Sequence, residues 1–415
     1  MLAAQSYDVA VVGGGIVGLT TACGLADLGL RVIVIDQGSV DEVSGEPRLK
    51  VSAINQASQN LLKNIGAWSY IDKVRCTSYT SMKIWDKGGA GKIHFDDNGS
   101  GQSLGTIIEN DVISNALLAR AEDLHSLTYV ENQTLDSVVF GEREAWLTLN
   151  SREQFSAALV VAADGANSVI REKCRIPLTF WDYGHHAIVA TIRTEYSHQH
   201  CAQQIFTEEG VLAFLPLFDS NLCSIVWSTS PQKATELMEC GDSEFNKALT
   251  AAFEGRLGLC HIAGNKQKQC FPLKMRYARQ FVQNRMILAG DAAHTVHPLA
   301  GQGMNLGLLD AASIIEVVGD IFKQGKDIGE YRYLRNLERW QKANAIEMIA
   351  AMEGLKQLFA GGHPVKKTFR DMGLNFIDKL PFVKNKLIEK AMGKSLKIPL
   401  LCINSRDEEI NSKSY

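Results

Sequence analysis

The stretch YDVAVVGGGIVGLTTACGLADLGLRVIVIDQ, residues 7–37, constrains the fold more than any other part of the chain. Tyr7 to Val12 is a short β-rich run. Gly13, Gly15 and Gly18 then fall in G-x-G-x-x-G, and Val17 to Leu28 has helical spacing with Gly29 as its C-cap. Arg31 to Ile35 is a buried-strand run that ends at Asp36. The order is strand, tight turn, helix, strand, as in a Rossmann-like α/β domain.

Each part of this order has a physical reason. Gly13 permits the sharp turn, Gly15 lets backbone approach a pyrophosphate, and Gly18 lets helix and strand pack closely. The helix N-terminus offers free N–H groups and about half a positive charge to the phosphates. Asp36 stands where a carboxylate accepts hydrogen bonds from a ribose diol. An acid there disfavours a 2′-phosphate, so the site suits FAD or NAD rather than NADP.

Two further motifs separate FAD from NAD. In AALVVAADGANSVIREK a strand, Leu159 to Ala163, runs into Asp164-Gly165, Ser168 and Arg171, the D-G-x-x-S-x-x-R pattern. An ordinary strand-to-helix turn with Asp164 as the helix cap explains the same letters. In GDAAHTVHPLAGQGMNLG, residues 290–307, a strand Met286 to Ala289 delivers Asp291, and Gly301-Gln302-Gly303-Met304-Asn305 opens a helix. Asp291 suits the hydroxyls of a sugar alcohol. The small residues admit a flat ring, and the helix N-terminus favours negative charge on it. FAD has both a ribityl chain and a ring that is anionic when reduced, whereas NAD has neither. His294 and His297 read as structural hydrogen-bonders rather than proton carriers.

Composition narrows the remaining classes. The chain has 415 residues, 46% of them hydrophobic, and a net charge of -3, which gives no reason to expect nucleic acid. The nine cysteines are scattered and form no CxxC pair, so neither a metal site nor a disulfide framework is expected, and a reducing cytoplasm fits. No window approaches the roughly 18 unbroken apolar residues of a membrane span, and MLAAQSYDVAVVGGG lacks the basic start of a signal peptide.

The three motifs, in this order and at these separations, resemble those of the single-component flavoprotein aromatic hydroxylases of the para-hydroxybenzoate hydroxylase type, over nearly the whole chain. LKVSAINQAS (49–58), IIENDVI (107–113), PLTFWDYGHHAIVATIRT (177–194), GVLAFLPL (210–217), LCSIVWS (222–228) and HPLAGQGMNLG (297–307) resemble the ubiquinone-biosynthesis hydroxylases within that group. The TFWDYGHHAIVATI segment is most similar to members that hydroxylate carbon 5 of 2-octaprenylphenol. Sister enzymes act at other ring carbons.

The resemblance implies FAD contacts at Gly13, Gly15, Gly18, Asp36, Asp291, Gly301, Gln302, Gly303 and Asn305. It also implies that Asp164 serves both FAD and NAD(P)H, that Asn110 lies near the flavin, and that Pro298 lies beside the reactive ring edge. Family members commonly carry arginine just before V-S-A-I-N. Here Lys50 takes that place, with Arg48 two residues earlier, and lysine keeps the charge but loses the bidentate fork. NADH or NADPH would act as transient reductant, since no second G-x-G-x-x-G is present and GGAG at 88–91 lacks the flanking strand and helix. Oxygen would be activated as a flavin C4a-hydroperoxide, so no triad or metal is expected.

The implied fold is an FAD-binding domain (1–174 and 276–330) with an inserted antiparallel β-sheet substrate domain (175–275) and a helical C-terminal region (331–415). The runs AIVATIRT, CAQQIF, GVLAFLPL and LCSIVWS alternate as strands do. Phe214, Leu215, Pro216 and Trp227 are candidates for the substrate wall, with plain core as the alternative. Tyr183, His185 and His186 are candidates to approach the phenol hydroxyl. Between 356 and 397, ten Lys/Arg stand against three acids, a composition that suits an anionic membrane surface or a helix packed on the body or on a partner subunit. The expected location is cytoplasmic, at the inner face of the plasma membrane if that surface binds. Candidate partners are the polyprenylphenol, the membrane, other proteins of the pathway and a second copy of the chain. A flavin-bearing scaffold of the biosynthetic complex is the competing role. A halogenase is disfavoured by the lack of W-x-W-x-I-P.

Overall fold

Runs of β-branched residues bounded by glycines build the first sheet of the protein, seen here in a computed structural model. The structure describes residues 5–40, 45, 47–89, 91–96, 103–264, 267–296, 302–359, 392–393 and 398–404. Five parallel strands lie in the order Met286–Leu288, Gln154–Ala162, Gln5–Val12, Val32–Ile35 and Leu127–Val130. Successive strands are added on one side of Gln5–Val12 and then on the other. Its C-terminal end is therefore a topological switch point, where a crevice opens beyond the strand ends. The helix Ile16–Asp27 is buried along almost its whole length, between this sheet and the long helix Gln302–Lys323. The two helices approach closely because Gly24 meets Ile315 and Gly319 meets Leu28, and a Cβ at either glycine would lie within 2.5 Å of the facing side chain.

The second sheet has nine strands and is antiparallel except where Cys201–Thr207 pairs with Ser81–Asp86. At its centre is one long strand, Leu178–Thr194, paired with Lys268–Ala278 on one side and Leu222–Thr229 on the other. Gly184 (φ +67°) lies in an irregularity of this strand between Asp182 and His186. The sheet is not confined to residues 175–275. Ser81–Asp86 and Lys92–Asp96 join it, with GGAG between them, and His294–Thr295 adds to its other edge. A third small sheet, Val51–Ile54, Gly105–Glu109 and Cys76–Tyr79, packs Ala53 and Ile107 against Leu215 and Leu222 of the second.

The long helix Gln302–Lys323 is followed by Tyr331–Phe359, which begins the C-terminal region. Pro298, Gly301, His297 and the basic stretch beyond residue 359 lie outside the described residues, apart from residues 392–393. Among the described residues no helix is long and apolar enough to cross a membrane.

Candidate functional site

Register brings the three motifs together. Val12 pairs with Ile35 and with Ala162, and Ala162 pairs with Leu288. Gly13, Asp36, Asp164 and Asp291 therefore emerge from the same end of four adjacent parallel strands, although residues 13 and 291 are far apart in sequence. Strands lie about 4.8 Å apart, so these groups line one crevice along the sheet edge.

The glycine turn is built to admit an extended anionic group. Gly13 has φ +104°, and a Cβ there would lie 2.4 Å from the Ala163 carbonyl oxygen. A Cβ on Gly18 would lie 2.0 Å from the Gly13 carbonyl oxygen. A Cβ on Gly15, by contrast, would meet nothing within 4 Å. Gly15 is the N-cap of its helix, and no side chain caps the free N–H groups. That open, uncapped helix start fits a diphosphate. Asp36 accepts a hydrogen bond from Tyr129 Oη at 3.1 Å, which leaves its second carboxylate oxygen for a diol.

Asp164 has two roles. Its Oδ2 accepts from the Val169 and Ile170 amides at 2.7 and 3.2 Å, as the capping alternative requires. Its Oδ1 is buried without a protein partner. Ser168 caps the same short helix, and that helix carries the buried Arg171. Arg171 donates to the Ala292 carbonyl at 2.8 Å and to the Ala166 carbonyl at 2.8 Å. The second motif thus holds the third in place. Arg276 adds bonds to the Ala166 carbonyl and to Asn167.

Asp291 keeps an exposed edge on the crevice floor. Protein crowding lifts its carboxyl above the ordinary range, against the pull of His294 and Arg276. His294 is buried and bonds Asp310 Oδ2 through Nε2 at 2.6 Å. Desolvation favours neutral imidazole, but the Asp310 carboxylate and its hydrogen bond, with Asp291 nearby, outweigh it and raise the His294 pKa. A raised folded pKa stabilises the fold fully below the unfolded value of about 6.5, and that contribution is lost as pH rises through the folded value. The melting temperature of the apoprotein, taken as parent minus His294→Gln, should therefore fall as pH climbs above about 6.5. A difference that stays constant from acid to alkaline pH would refute this.

Other candidates sit as follows. Asn305 is buried and bridges two groups, with Oδ1 accepting from the Asn55 amide at 2.9 Å and Nδ2 donating to the Ala53 carbonyl at 2.8 Å. Its side chain thereby ties the start of the long helix to the strand Val51–Ile54. Gly303 and the backbone of Gln302 lie in the first turn of that helix. Asn110 Oδ1 accepts from Ser52 Oγ at 2.7 Å, and its amide bonds the Lys50 carbonyl at 3.0 Å. The Lys50 ammonium lies 5.8 Å from the Phe271 ring centroid on the second sheet. Arg75 and Glu109 form a bidentate buried pair at 2.8 and 2.7 Å, and Arg75 also holds the Gly45 carbonyl. No sequence motif marks that pair.

Of the four wall candidates, Phe214 and Trp227 take the core alternative. Phe214 stacks on Phe253 at 4.0 Å, and Trp227 approaches Phe245 at 6.0 Å. Both belong to a core closed by the helices Pro231–Glu239 and Asp242–Ala252 on the far face of the sheet. Pro216 shares the strand parity of Phe214. Leu215 has the opposite parity and packs with Ala53. The opposite face carries Ala187, Val189, Val226 and Ala213, with Leu215 on the same side, and packs against Ala53 and Ile349. There Val189 is in register with Val226, and Val226 with Ala213. Tyr183 is buried in the same apolar group, with Ala187, Leu273, Met275 and Ile349. Burial and Glu353 push the Tyr183 phenol pKa up. His185 lies 3.4 Å from Ser228 Oγ, and His186 lies 3.8 Å from Cys270 Sγ.

A family model described as "FAD binding domain" matches residues 6–329, and one described as "Squalene epoxidase" matches residues 259–401. The chain is 32% identical to the 3-demethoxyubiquinol 3-hydroxylase of Escherichia coli K12, over 94% of this chain and 99% of that protein. It is 30% identical to the mitochondrial ubiquinone biosynthesis monooxygenase COQ6 of Danio rerio, over 93% of this chain and 90% of the relative. Among solved structures, the p-nitrophenol 4-monooxygenase PnpA of Pseudomonas putida superposes with a TM-score of 0.77 at 19% identity, over 95% of this chain and 100% of that one.

Proposed function

Because this chain belongs to the family of FAD-dependent ubiquinone-biosynthesis monooxygenases, we propose that it hydroxylates the ring of a polyprenylphenol, at carbon 5 of 2-octaprenylphenol. FAD is its cofactor, with NADH or NADPH as reductant and O2 as co-substrate. The observation that carries the reading is the meeting of Gly15, Asp36, Asp164 and Asp291 at the C-terminal ends of four adjacent parallel strands.

When bound, FAD accepts hydride from the nicotinamide and activates oxygen for transfer to an electron-rich ring. The chain supplies the rest. The uncapped helix start at Gly15 takes the diphosphate, Asp36 the ribose, and Asp291 with Asp164 Oδ1 the polyol end. Ala187, Val189, Val226 and Ala213 offer apolar contact to the ring and keep water out, which protects the oxygenating state from wasteful decay.

Carbon 5 is supported by the likeness of TFWDYGHHAIVATI to carbon-5 enzymes. A second reading, attack at another ring carbon, is supported by the Escherichia coli relative, whose name specifies a 3-hydroxylase. Mass analysis of the quinone precursor that accumulates in a strain lacking this protein separates the two. A precursor lacking the carbon-5 hydroxyl supports the first reading, and one blocked at a later ring position supports the second. Normal quinone synthesis in that strain would refute both.

A further inference from the structure

The turn Gly290-Asp291 leaves its strand with Gly290 at φ +58°, a left-handed conformation that glycine adopts freely, and the Ala293 amide donates to the Gly290 carbonyl at 2.9 Å. A second hold comes from the interior of the long helix, a little over two turns past its first residue, Gln302. A single oxygen, Asp310 Oδ2, accepts from the Gly290 amide at 3.0 Å and is bonded to His294 Nε2 at 2.6 Å. Asp310 and His294 are both almost wholly buried, at 1% and 2% exposure. The two residues that Oδ2 grips flank Asp291, one before it and one three after. From the other side, Arg171 grips the Ala292 carbonyl. A Cβ at Gly307, one turn before Asp310, would lie 2.7 Å from Val17 of the first helix, so the two helices are closely packed there. Asp310 thus sits on a closely packed helix and holds the turn that carries Asp291.

We propose that Asp310 is a positioning residue for FAD, acting through the Gly290 amide and His294 to aim the Asp291 carboxylate at the polyol chain of the cofactor. The inference rests on FAD being the ligand of this crevice, and it assigns no chemical step to Asp310.

Because one oxygen accepts both hydrogen bonds, the geometry makes a sharp demand. An amide oxygen at position 310 can replace the carboxylate, and a methyl cannot. At position 294, the glutamine amide nitrogen can take the place of Nε2, and leucine cannot. The test measures the FAD dissociation constant of the apoprotein by flavin fluorescence, with the visible spectrum of the bound flavin and the apoprotein melting temperature alongside. Asp310→Ala and His294→Leu should weaken FAD binding roughly thirtyfold, as expected for losing a buried charge-assisted hydrogen bond. They should also shift the spectrum of whatever flavin is retained. Asp310→Asn and His294→Gln should stay within about threefold of the parent.

A purely structural role would lower the melting temperature of Asp310→Asn and Asp310→Ala alike and leave the dissociation constant unmoved in folded protein; that result overturns the proposal. Equal loss of FAD affinity in Asp310→Asn and Asp310→Ala also overturns it. If Asp310→Ala fails to fold, the His294→Leu and His294→Gln pair decides by the same criterion. A parent apoprotein that takes up no FAD would instead overturn the assignment of the crevice.

Discussion

Gly15→Ala should yield a folded apoprotein that has lost most of its affinity for FAD, while Gly18→Ala should barely fold. The backbone at Gly15 is extended, φ -71° and ψ 177°, which alanine adopts freely, and its added Cβ would touch nothing within 4 Å. The methyl group therefore costs the empty protein little. It does occupy the space over the uncapped helix N-terminus where a diphosphate has to approach the backbone. Overpacking of that kind costs about 1–3 kcal/mol, or roughly tenfold to a hundredfold in the dissociation constant. At Gly18 the added atom would lie 2.0 Å from the Gly13 carbonyl oxygen. Both partners are backbone and neither can swing aside, so a loss of about 3 kcal/mol or more is expected. Denaturant melts of both apoproteins and an FAD titration of the first give the answer. Parental FAD affinity in Gly15→Ala would show that this crevice is not used as described, and parental stability in Gly18→Ala would show that the Gly18–Gly13 contact is not tight.

The second large effect is expected at Arg285, the largest fully buried side chain among the described residues, which no motif marks. Its guanidinium donates to the Glu142 carbonyl at 2.9 and 2.6 Å, to the Ala158 carbonyl at 3.0 Å, and to the Asp327 carboxylate at 2.6 Å, with a second contact to Asp327 through Nη2. The Arg285 side-chain hydrogen bond is the main cause of a lowered Asp327 pKa. Its backbone bonds Gly329 and Val160, so it closes the loop Asp327–Gly329 onto the start of the strand Met286–Leu288. Removing the guanidinium leaves two partly buried carbonyls and a half-buried carboxylate without their donor. Breaking such a pair costs about 3–5 kcal/mol, so Arg285→Met should lower the unfolding free energy obtained from denaturant melts by that amount. Arg285→Lys should recover only part of it, because lysine keeps the charge without the planar fork. A loss below about 1 kcal/mol for Arg285→Met, the size of one ordinary hydrogen bond, would show that the knot contributes little.

Much of the first sheet can be read from the chain because its signals are local. Tyr7 to Ile35 carries strand, turn, helix and strand within one contiguous stretch, and the structure has Gln5–Val12, Ile16–Asp27 and Val32–Ile35 there. The third motif likewise follows its strand, Met286–Leu288, directly. The second sheet was legible only as alternation. Period two says that Phe214 and Leu215 point opposite ways. It does not say which face meets the cofactor and which is covered by the helices Pro231–Glu239 and Asp242–Ala252. Phe214 and Trp227 were therefore credible wall residues in sequence and are core in the fold. The recruitment of Ser81–Asp86 and Lys92–Asp96 into that sheet was equally invisible, because strand partners leave no trace in the strand's own residues.

The amino-acid sequence alone settled that three glycine-and-aspartate motifs end strands or begin helices, since each depends on neighbours within a few positions. Folding decided which distant groups serve them: Arg171 for the Ala292 carbonyl, Asp310 for Gly290 and His294, Asn305 for the strand Val51–Ile54. The physical reason is that a buried donor or acceptor must find a partner wherever the packed chain provides one, and that choice depends on register and helix placement, which no local pattern records.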